Sequence, residues 1–216
     1  MTTDACRFDR PSPDVVRAFR ELPTSIVSDV MGRMGAMDGG IRPIALAGGL
    51  TGPAFPVNAY PADNLMCHLA LKLAQPGDIL VVDAGGYGDA ALWGELMSLN
   101  AVRRGLGGLV IDGAVRDRST LAEIGFPVFA RGCVPNGTFK RKPGALNQPV
   151  ACGGLSVAPG DLVLGDADGV VVVPRADAEE ILERASKQIE KEAMLRRQIE
   201  AGETLFDLLD LAGRFQ

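Results

Sequence analysis

Three charged residues lie just beyond the ends of two apolar runs. The run "ILVVD" closes at Asp83 and leads through "AGGYGDAALW" to "GEL", and the run "GLVID" passes into "GAVRD". Glu95, Arg116 and Asp117 therefore follow the carboxyl ends of two candidate strands, where open α/β sheets bind ligands. An arginine fork matches a small carboxylate, and an aspartate matches a hard divalent cation. A glutamate within hydrogen-bond reach of a substrate can move a proton. Together the three types suit an anionic small molecule held near a metal ion. The plainer reading of Arg116 beside Asp117 is a surface ion pair.

The same stretch also carries a G-x-G-x-x-A spacing at Gly86, Gly88 and Ala91, with Asp112 near the position of a ribose-binding acid. A dinucleotide would place its pyrophosphate on the start of a helix expected over 89–104. Three features oppose this reading. Asp83 would repel phosphate, Asp83-Ala84-Gly85 separates the strand from the fingerprint, and about eighty residues precede a unit that normally opens such a domain.

Composition removes other chemistries. The only histidine, His68, lies among apolar neighbours in "NLMCHLALKLA" and reads as a packed or capping residue. A multi-histidine zinc site is excluded, and a Ser-His-Asp triad or phosphohistidine would rest on His68 alone. Cys6, Cys67, Cys133 and Cys152 form no C-x-x-C pair and read as reduced thiols filling the core of a cytoplasmic protein. The five lysines (Lys72, Lys140, Lys142, Lys187 and Lys191) occupy polar helical or loop contexts, unlike a buried Schiff-base lysine. Net charge is −5, and the densest basic group, Arg131, Lys140, Arg141 and Lys142, reads as a surface loop. No nucleic-acid partner is expected. No apolar run approaches the ~20 residues that span a bilayer, and the polar start has no signal-peptide core.

The elements that must position Glu95, Arg116 and Asp117 belong to one α/β domain of 216 residues, 47% of them hydrophobic. Helices are expected over "SPDVVRAFREL" and over "TSIVSDVMGRMG", the latter capped by Thr24 and stopped by Gly35. Strand "AFPVNAY", a helix near 64–74, strand 78–83, helix 89–104, strand "GGLVID", a helix near 118–124 and strand "PVFARG" then alternate, as in a parallel sheet. After Gly144, "QPVACGGLSV", "DLVLGD" and "GVVVVP" are short strands joined by tight turns, which suits antiparallel pairing. A charged helix from Ala176 to about Ala201 and a shorter "TLFDLLDLA" close the chain. Sparse apolar positions on the long helix suggest contact with a neighbouring subunit over about 176–216.

The segments "GGYGDAALWGELM…GLVIDGAVRD" and "NGTFKRKPGALNQPV…PGDLVLGDADGVVVVP" resemble the RraA-like family, over roughly residues 24 to 205. The closer likeness is to its 4-hydroxy-4-methyl-2-oxoglutarate aldolase branch, which also handles 4-carboxy-4-hydroxy-2-oxoadipate. The resemblance implies a swivelling β/β/α-type fold with a central sheet, flanking helices and a long C-terminal helix, assembled as a homotrimer or homohexamer. It also implies a class II aldolase that uses Mg²⁺ or Mn²⁺ and releases pyruvate; oxaloacetate decarboxylation, which passes through the same pyruvate enolate, is a third option, as a side activity or the main one. On that likeness, Gly94, Glu95, Leu96 and Met97 bind the pyruvyl group through backbone N–H donors. Arg116 binds the keto-acid end, Asp117 ligates the metal, and a neighbouring subunit supplies Glu192, with Glu190 close by. Glu95 stands where some of these aldolases carry aspartate, and its longer arm is expected to alter substrate choice. The residues themselves agree: with no zinc set and no buried lysine, a Mg²⁺-like Lewis acid remains, and Glu95 is the candidate acid/base. The alternative within the family is a non-catalytic regulator that binds a ribonuclease.

Overall fold

The computed structural model describes residues 7–215. Four parallel strands form its centre: β2 (Leu50–Asn58), β3 (Ile79–Trp93), β4 (Gly108–Val115) and β5 (Val128–Cys133). All eight residues of β4 are buried, as expected for a parallel strand covered on both faces. β1 (Arg42–Ala45) pairs antiparallel with β5, and β9 (Leu162–Gly165) with β2. β10 (Val170–Val173) extends that edge, and β6 (Ala145–Leu146) pairs with the end of β2. The order is β1-β5-β4-β3-β2-β9-β10, and β7 (Val150–Cys152) with β8 (Leu155–Val157) makes a separate hairpin. The expected switch from crossovers to tight antiparallel turns after Gly144 is present.

Three apolar clusters hold these layers. On one face, helices α3 (Leu65–Leu73), α4 (Glu95–Arg103) and α5 (Arg118–Ile124) bury Met66, Ala70, Met97, Ala101 and Leu121 against β3, β4 and β5. On the other face, the β7–β8 hairpin covers Ile79, Val81, Val110 and Phe129. The third cluster joins α1 (Pro13–Phe19), α2 (Thr24–Val30) and the first turns of α6 (Ala178–Glu200) to β9 and β10. Beyond Ala185 no residue of α6 is buried, and a short α7 (Leu205–Leu208) follows. Among the described residues no helix is long and apolar enough to cross a membrane.

Several expectations need correction. Residues 89–93 do not begin a helix. β3 continues for 15 residues to Trp93, with Tyr87, Ala91 and Trp93 opposite Gly113, Ala114 and Val115 and register shifts between them. Gly85 and Gly86 take positive φ at the bulge, a conformation that glycine adopts without a Cβ clash. The G-x-G-x-x-A residues thus belong to a bulged strand, not a helix N-terminus, which removes the physical basis for a dinucleotide there. Asp112 is committed elsewhere: it accepts from Gly153 N at 2.9 Å and pairs with Arg131, which also reaches Asp38 at 2.9 Å. Arg131 is accordingly a strand residue of β5 held between two carboxylates, not part of a loose basic loop.

Thr24 does not cap α2. It is the first helical residue, after Pro23, and its N–H and hydroxyl donate to the Asp166 carboxylate at 2.9 and 2.8 Å. The helix ends at Val30, and the chain turns at Gly32 (φ +74°), before Gly35. Cys67 and Cys152 are buried free thiols, whereas Cys133 is exposed and fills no core; Cys6 lies outside the described residues. Burial pushes the Cys67 thiol up to about 12.

Candidate functional site

The carboxyl ends of β3 and β4 are tied together before either chain turns into a helix. Arg116 N–H donates to the Trp93 carbonyl at 3.0 Å. The buried Trp93 indole N–H in turn donates to Ser98 Oγ at 2.7 Å, fixing the first turn of α4 against the strand it leaves. Gly94 is the N-cap, with no side chain to take up the helix's free donors. Ser98 N–H is met by the Gly94 carbonyl at 3.1 Å and Glu95 N–H by Asp117 Oδ2 at 3.1 Å. Leu96 and Met97 present first-turn N–H groups that the helix itself cannot satisfy, an arrangement that favours negative charge.

Asp117 holds an unusual backbone. It sits at φ 62°, ψ 38°, the left-handed region, immediately before α5. Aspartate tolerates that region better than most residues, and the turn sends its carboxylate back towards α4. There Oδ2 lies 3.4 Å from Arg116 Nε as well as receiving the Glu95 N–H. The space is tight. A Cβ on Gly94 would lie 2.5 Å from Asp117 Oδ2 and 3.0 Å from Arg116 Cγ, so only glycine leaves this contact undisturbed.

Glu95, Arg116 and the backbone of 94–97 face a cleft of about 210 Å³. Its remaining wall comes from Asn64 and His68 of the α3 region and from Gly137, Thr138 and Lys140. Asp117 meets the cleft through its contacts with Glu95 and Arg116. The arrangement brings together Gly94, Glu95, Leu96, Met97, Arg116 and Asp117. It does not bring Glu192 to them: Glu192 and Glu190 are exposed on α6, and Glu192 accepts from Gln188 at 2.8 Å, beside grooves that share no residue with the cleft.

Three cleft residues were not legible as such. Asn64 is buried; its amide donates to the Leu92 carbonyl at 2.9 Å, and its Oδ1 has no donor among the described residues. His68, read from the sequence as a packed or capping residue, is instead exposed on the cleft wall. Partial burial and nearby Lys140 hold its pKa below the usual histidine value. Lys140 is positioned by buried Asp63, which accepts from the N–H groups of Arg141 (2.7 Å), Lys142 (3.1 Å) and Leu65 (3.0 Å). Burial alone would raise the Asp63 pKa, but these donors outweigh it and hold it below the usual carboxylate range. For Lys140 the available signal is "NGTFKRKPG", a segment that carries the resemblance and whose basic residues otherwise read as a surface loop.

The donor set can be tested against a divalent ion. No group of three metal-ligating side chains exists among the described residues. Asp117, with Glu95 nearby, offers the one or two carboxylates from which Mg²⁺ is commonly held together with water and substrate oxygens. The residues fit a shared, open site rather than a closed cage.

A family model described as Aldolase/RraA, RraA-like, matches residues 24–172. A protein of Halalkalibacterium halodurans named "Putative 4-hydroxy-4-methyl-2-oxoglutarate aldolase" is 37% identical over 175 residues, covering 81% of this chain and 83% of its own length. A crystal structure of an uncharacterized protein from Pseudomonas syringae pv. tomato superposes with a TM-score of 0.83 at 28% identity, covering 93% of this chain and 98% of that one. Streptomyces coelicolor RraAS2, described as an unusual member of the RNase ES inhibitor RraA protein family, superposes with a TM-score of 0.79 at 31% identity, covering 88% and 100%.

Proposed function

The chain belongs to the RraA-like family, and from that premise we propose that it is a metal-dependent carbon–carbon lyase cleaving small 4-hydroxy-2-oxo acids to pyruvate. 4-Hydroxy-4-methyl-2-oxoglutarate and 4-carboxy-4-hydroxy-2-oxoadipate are the favoured substrates. The observation that carries this reading is Arg116, which lines the cleft beside the free N–H groups of Leu96 and Met97 and is paired with Asp117 at its edge. That combination suits a 2-oxo carboxylate and a hard cation at once.

In this reading Asp117, with Glu95 nearby, holds Mg²⁺ or Mn²⁺. When bound, the ion supplies Lewis-acid polarisation of the 2-oxo group. The first-turn N–H groups of α4 take the substrate carboxylate, and Arg116 directs its fork at the 2-oxo oxygen. Glu95 has no hydrogen bond to its carboxylate among the described residues and stands in the cleft, so it is the base for the 4-hydroxyl proton. As that proton leaves, the C3–C4 bond breaks, C4 becomes a carbonyl, and the electron pair passes into the enolate of pyruvate. Arg116 stabilises the charge developing on the enolate oxygen. Glu95 then returns the proton to C3, and pyruvate departs. Buried Asn64 Oδ1 is an acceptor suited to a substrate hydroxyl. Oxaloacetate decarboxylation needs the same enolate and follows as a secondary activity. Glu192 completes the site from a neighbouring copy in a homotrimer or homohexamer.

The test is a pyruvate-release assay with a panel of 4-hydroxy-2-oxo acids and oxaloacetate, with Mg²⁺ or Mn²⁺ and then with EDTA. Release from a 4-hydroxy-2-oxo acid that EDTA abolishes and added metal restores is the expected result. No release from any compound, together with binding to a ribonuclease, would replace this reading with that of a non-catalytic regulator.

A further inference from the structure

The carboxyl ends of β3 and β4 hold the cleft, and their amino ends hold a second cavity, of about 340 Å³. Leu50 opens β2, Gly77 lies just before β3 and Gly107 just before β4, and all three line this space. Arg116 follows β4 at its other end, nine residues after Gly107. At ~3.3 Å per strand residue the two spaces lie about 30 Å apart. They share no lining residue.

Backbone rather than mobile side chains sets much of the rim. Gly49 (φ +92°) comes so near Gly165 that a Cβ would lie 2.6 Å from the Gly165 carbonyl oxygen. A Cβ on Gly107 would lie 2.8 Å from the carbonyl oxygen of Gly77. Glycine permits both approaches, so the cavity is formed before any ligand arrives. Its volume falls within the ~300–1,000 Å³ typical of small-molecule sites, whose walls are mostly apolar with a few polar groups.

Leu22, Ala47, Leu50 and Leu164 supply the apolar wall. Two charged side chains face it, Arg20 and Asp166. Asp166 is already committed: it accepts from Thr24 N–H and hydroxyl, and from Asp168 N–H at 2.9 Å. Arg20 stands at the end of α1, and its guanidinium has no hydrogen-bond or ion-pair partner among the described residues. An unsatisfied fork beside an apolar chamber suits a planar carboxylate carried on an apolar body. Phosphate fits worse, because no lysine lines the cavity and its further charge would face Asp166.

We propose that this cavity is a second ligand site, taking a small monocarboxylate with an apolar body. The proposal is independent of the functional reading above, since no residue of the cleft takes part.

The experiment is calorimetric titration of the full chain with benzoate, with uncharged benzamide and with inorganic phosphate, followed by a crystal soaked in benzoate. Benzoate should bind with its carboxylate on Arg20 and its ring against Leu22, Leu50 and Leu164. It should bind ten-fold or more tighter than benzamide, and phosphate should not displace it. Arg20→Gln and Ala47→Trp, both at exposed positions, should stay folded by circular dichroism. The first should weaken benzoate ten-fold or more; the second places an indole in the cavity and should abolish binding there. Arg116→Lys, altered at the cleft, should still bind benzoate in the cavity. No binding at millimolar benzoate, benzoate found only in the cleft, equal affinity for benzamide, or displacement by phosphate overturns the proposal. Undiminished binding in both Arg20→Gln and Ala47→Trp overturns it as well. Failure of pyruvate release would strike the functional reading alone and leave this site standing.

Discussion

The Glu95 backbone N–H donates to Asp117 Oδ2 at 3.1 Å, so the helix that offers its N-terminus to the cleft is anchored by a carboxylate from the next crossover. Asp117 therefore has two jobs, joining α4 to α5 and supplying negative charge, and substitution separates them. Asp117→Asn keeps an oxygen acceptor and tolerates the left-handed backbone. Its thermal midpoint should stay close to wild type while Mn²⁺ binding fails and turnover falls on the order of 10² or more, as for losing several kcal/mol of Lewis-acid assistance. Asp117→Ala should show the same losses and about 1 kcal/mol of destabilisation besides, because alanine resists that φ. Mn²⁺ bound by Asp117→Asn as tightly as by wild type would remove Asp117 as the ligand.

Arg116 should behave differently from its neighbour. Arg116→Lys keeps the charge but loses the planar fork that can bind two oxygens together. Metal affinity should persist while kcat/KM falls on the order of 10², the cost of a transition-state donor worth roughly 3 kcal/mol. Near-normal turnover in Arg116→Lys would return the Arg116–Asp117 contact to a surface ion pair.

Much of this site was readable because its parts are local. The turn from an apolar run into "GAVRD" places Arg116 and Asp117 at a strand end whatever the rest of the chain does. The α4 boundary was not readable: "GDAALW" has good helix formers, but pairing of Tyr87, Ala91 and Trp93 with β4 overrides local propensity. Asn64, His68 and Lys140 were not legible as cleft residues for a related reason. They reach the cleft only because the 134–142 segment folds back, with Phe139 and Ala62 exchanging a backbone bond at 2.9 Å and Asn64 N–H meeting the Phe139 carbonyl at 3.0 Å. Arg131 looked like one of four basic loop residues, and only its partners Asp38 and Asp112, 93 and 19 positions away, reveal a structural role.

Asp63 gives a pH dependence with a definite sign. Its folded pKa lies below the ordinary 3.8, so its contribution is fully present above that value and is lost as pH falls through the folded pKa. Asp38, held low first by its hydrogen bond to Arg131, acts in the same direction. The urea midpoint should fall as pH drops from 5 towards 3, and fall less in Asp63→Asn. At pH 7 that variant should be less stable by about 1–3 kcal/mol, the scale of hydrogen bonds to a charged group. Its KM should also rise, because the donors of Arg141 and Lys142 that position Lys140 lose their acceptor charge. An unchanged pH profile in Asp63→Asn would mean that other carboxylates set the acid limb.

Gly94 provides a test that touches no ionisable group. Its backbone is extended (φ −167°), so alanine is not strained there, and the added Cβ meets no backbone atom, only the side chains of Asp117 (Oδ2, 2.5 Å) and Arg116 (Cγ, 3.0 Å, and Nε, 3.2 Å). Those side chains can swing outward, so Gly94→Ala should fold with a thermal midpoint near wild type. The swing, however, breaks the Glu95–Asp117 bond and turns the guanidinium away from the cleft, so metal affinity and kcat/KM should both fall, the latter on the order of 10². Gly137→Ala is the graded control: its Cβ would approach Arg116 Nη1 at 3.2 Å and leave Asp117 alone. It should raise KM a few-fold, with Mn²⁺ binding intact. Equal effects from the two substitutions would show that Asp117 and Arg116 are not separately placed. Wild-type activity in Gly94→Ala would show that the packed geometry around Asp117 is irrelevant to the reaction.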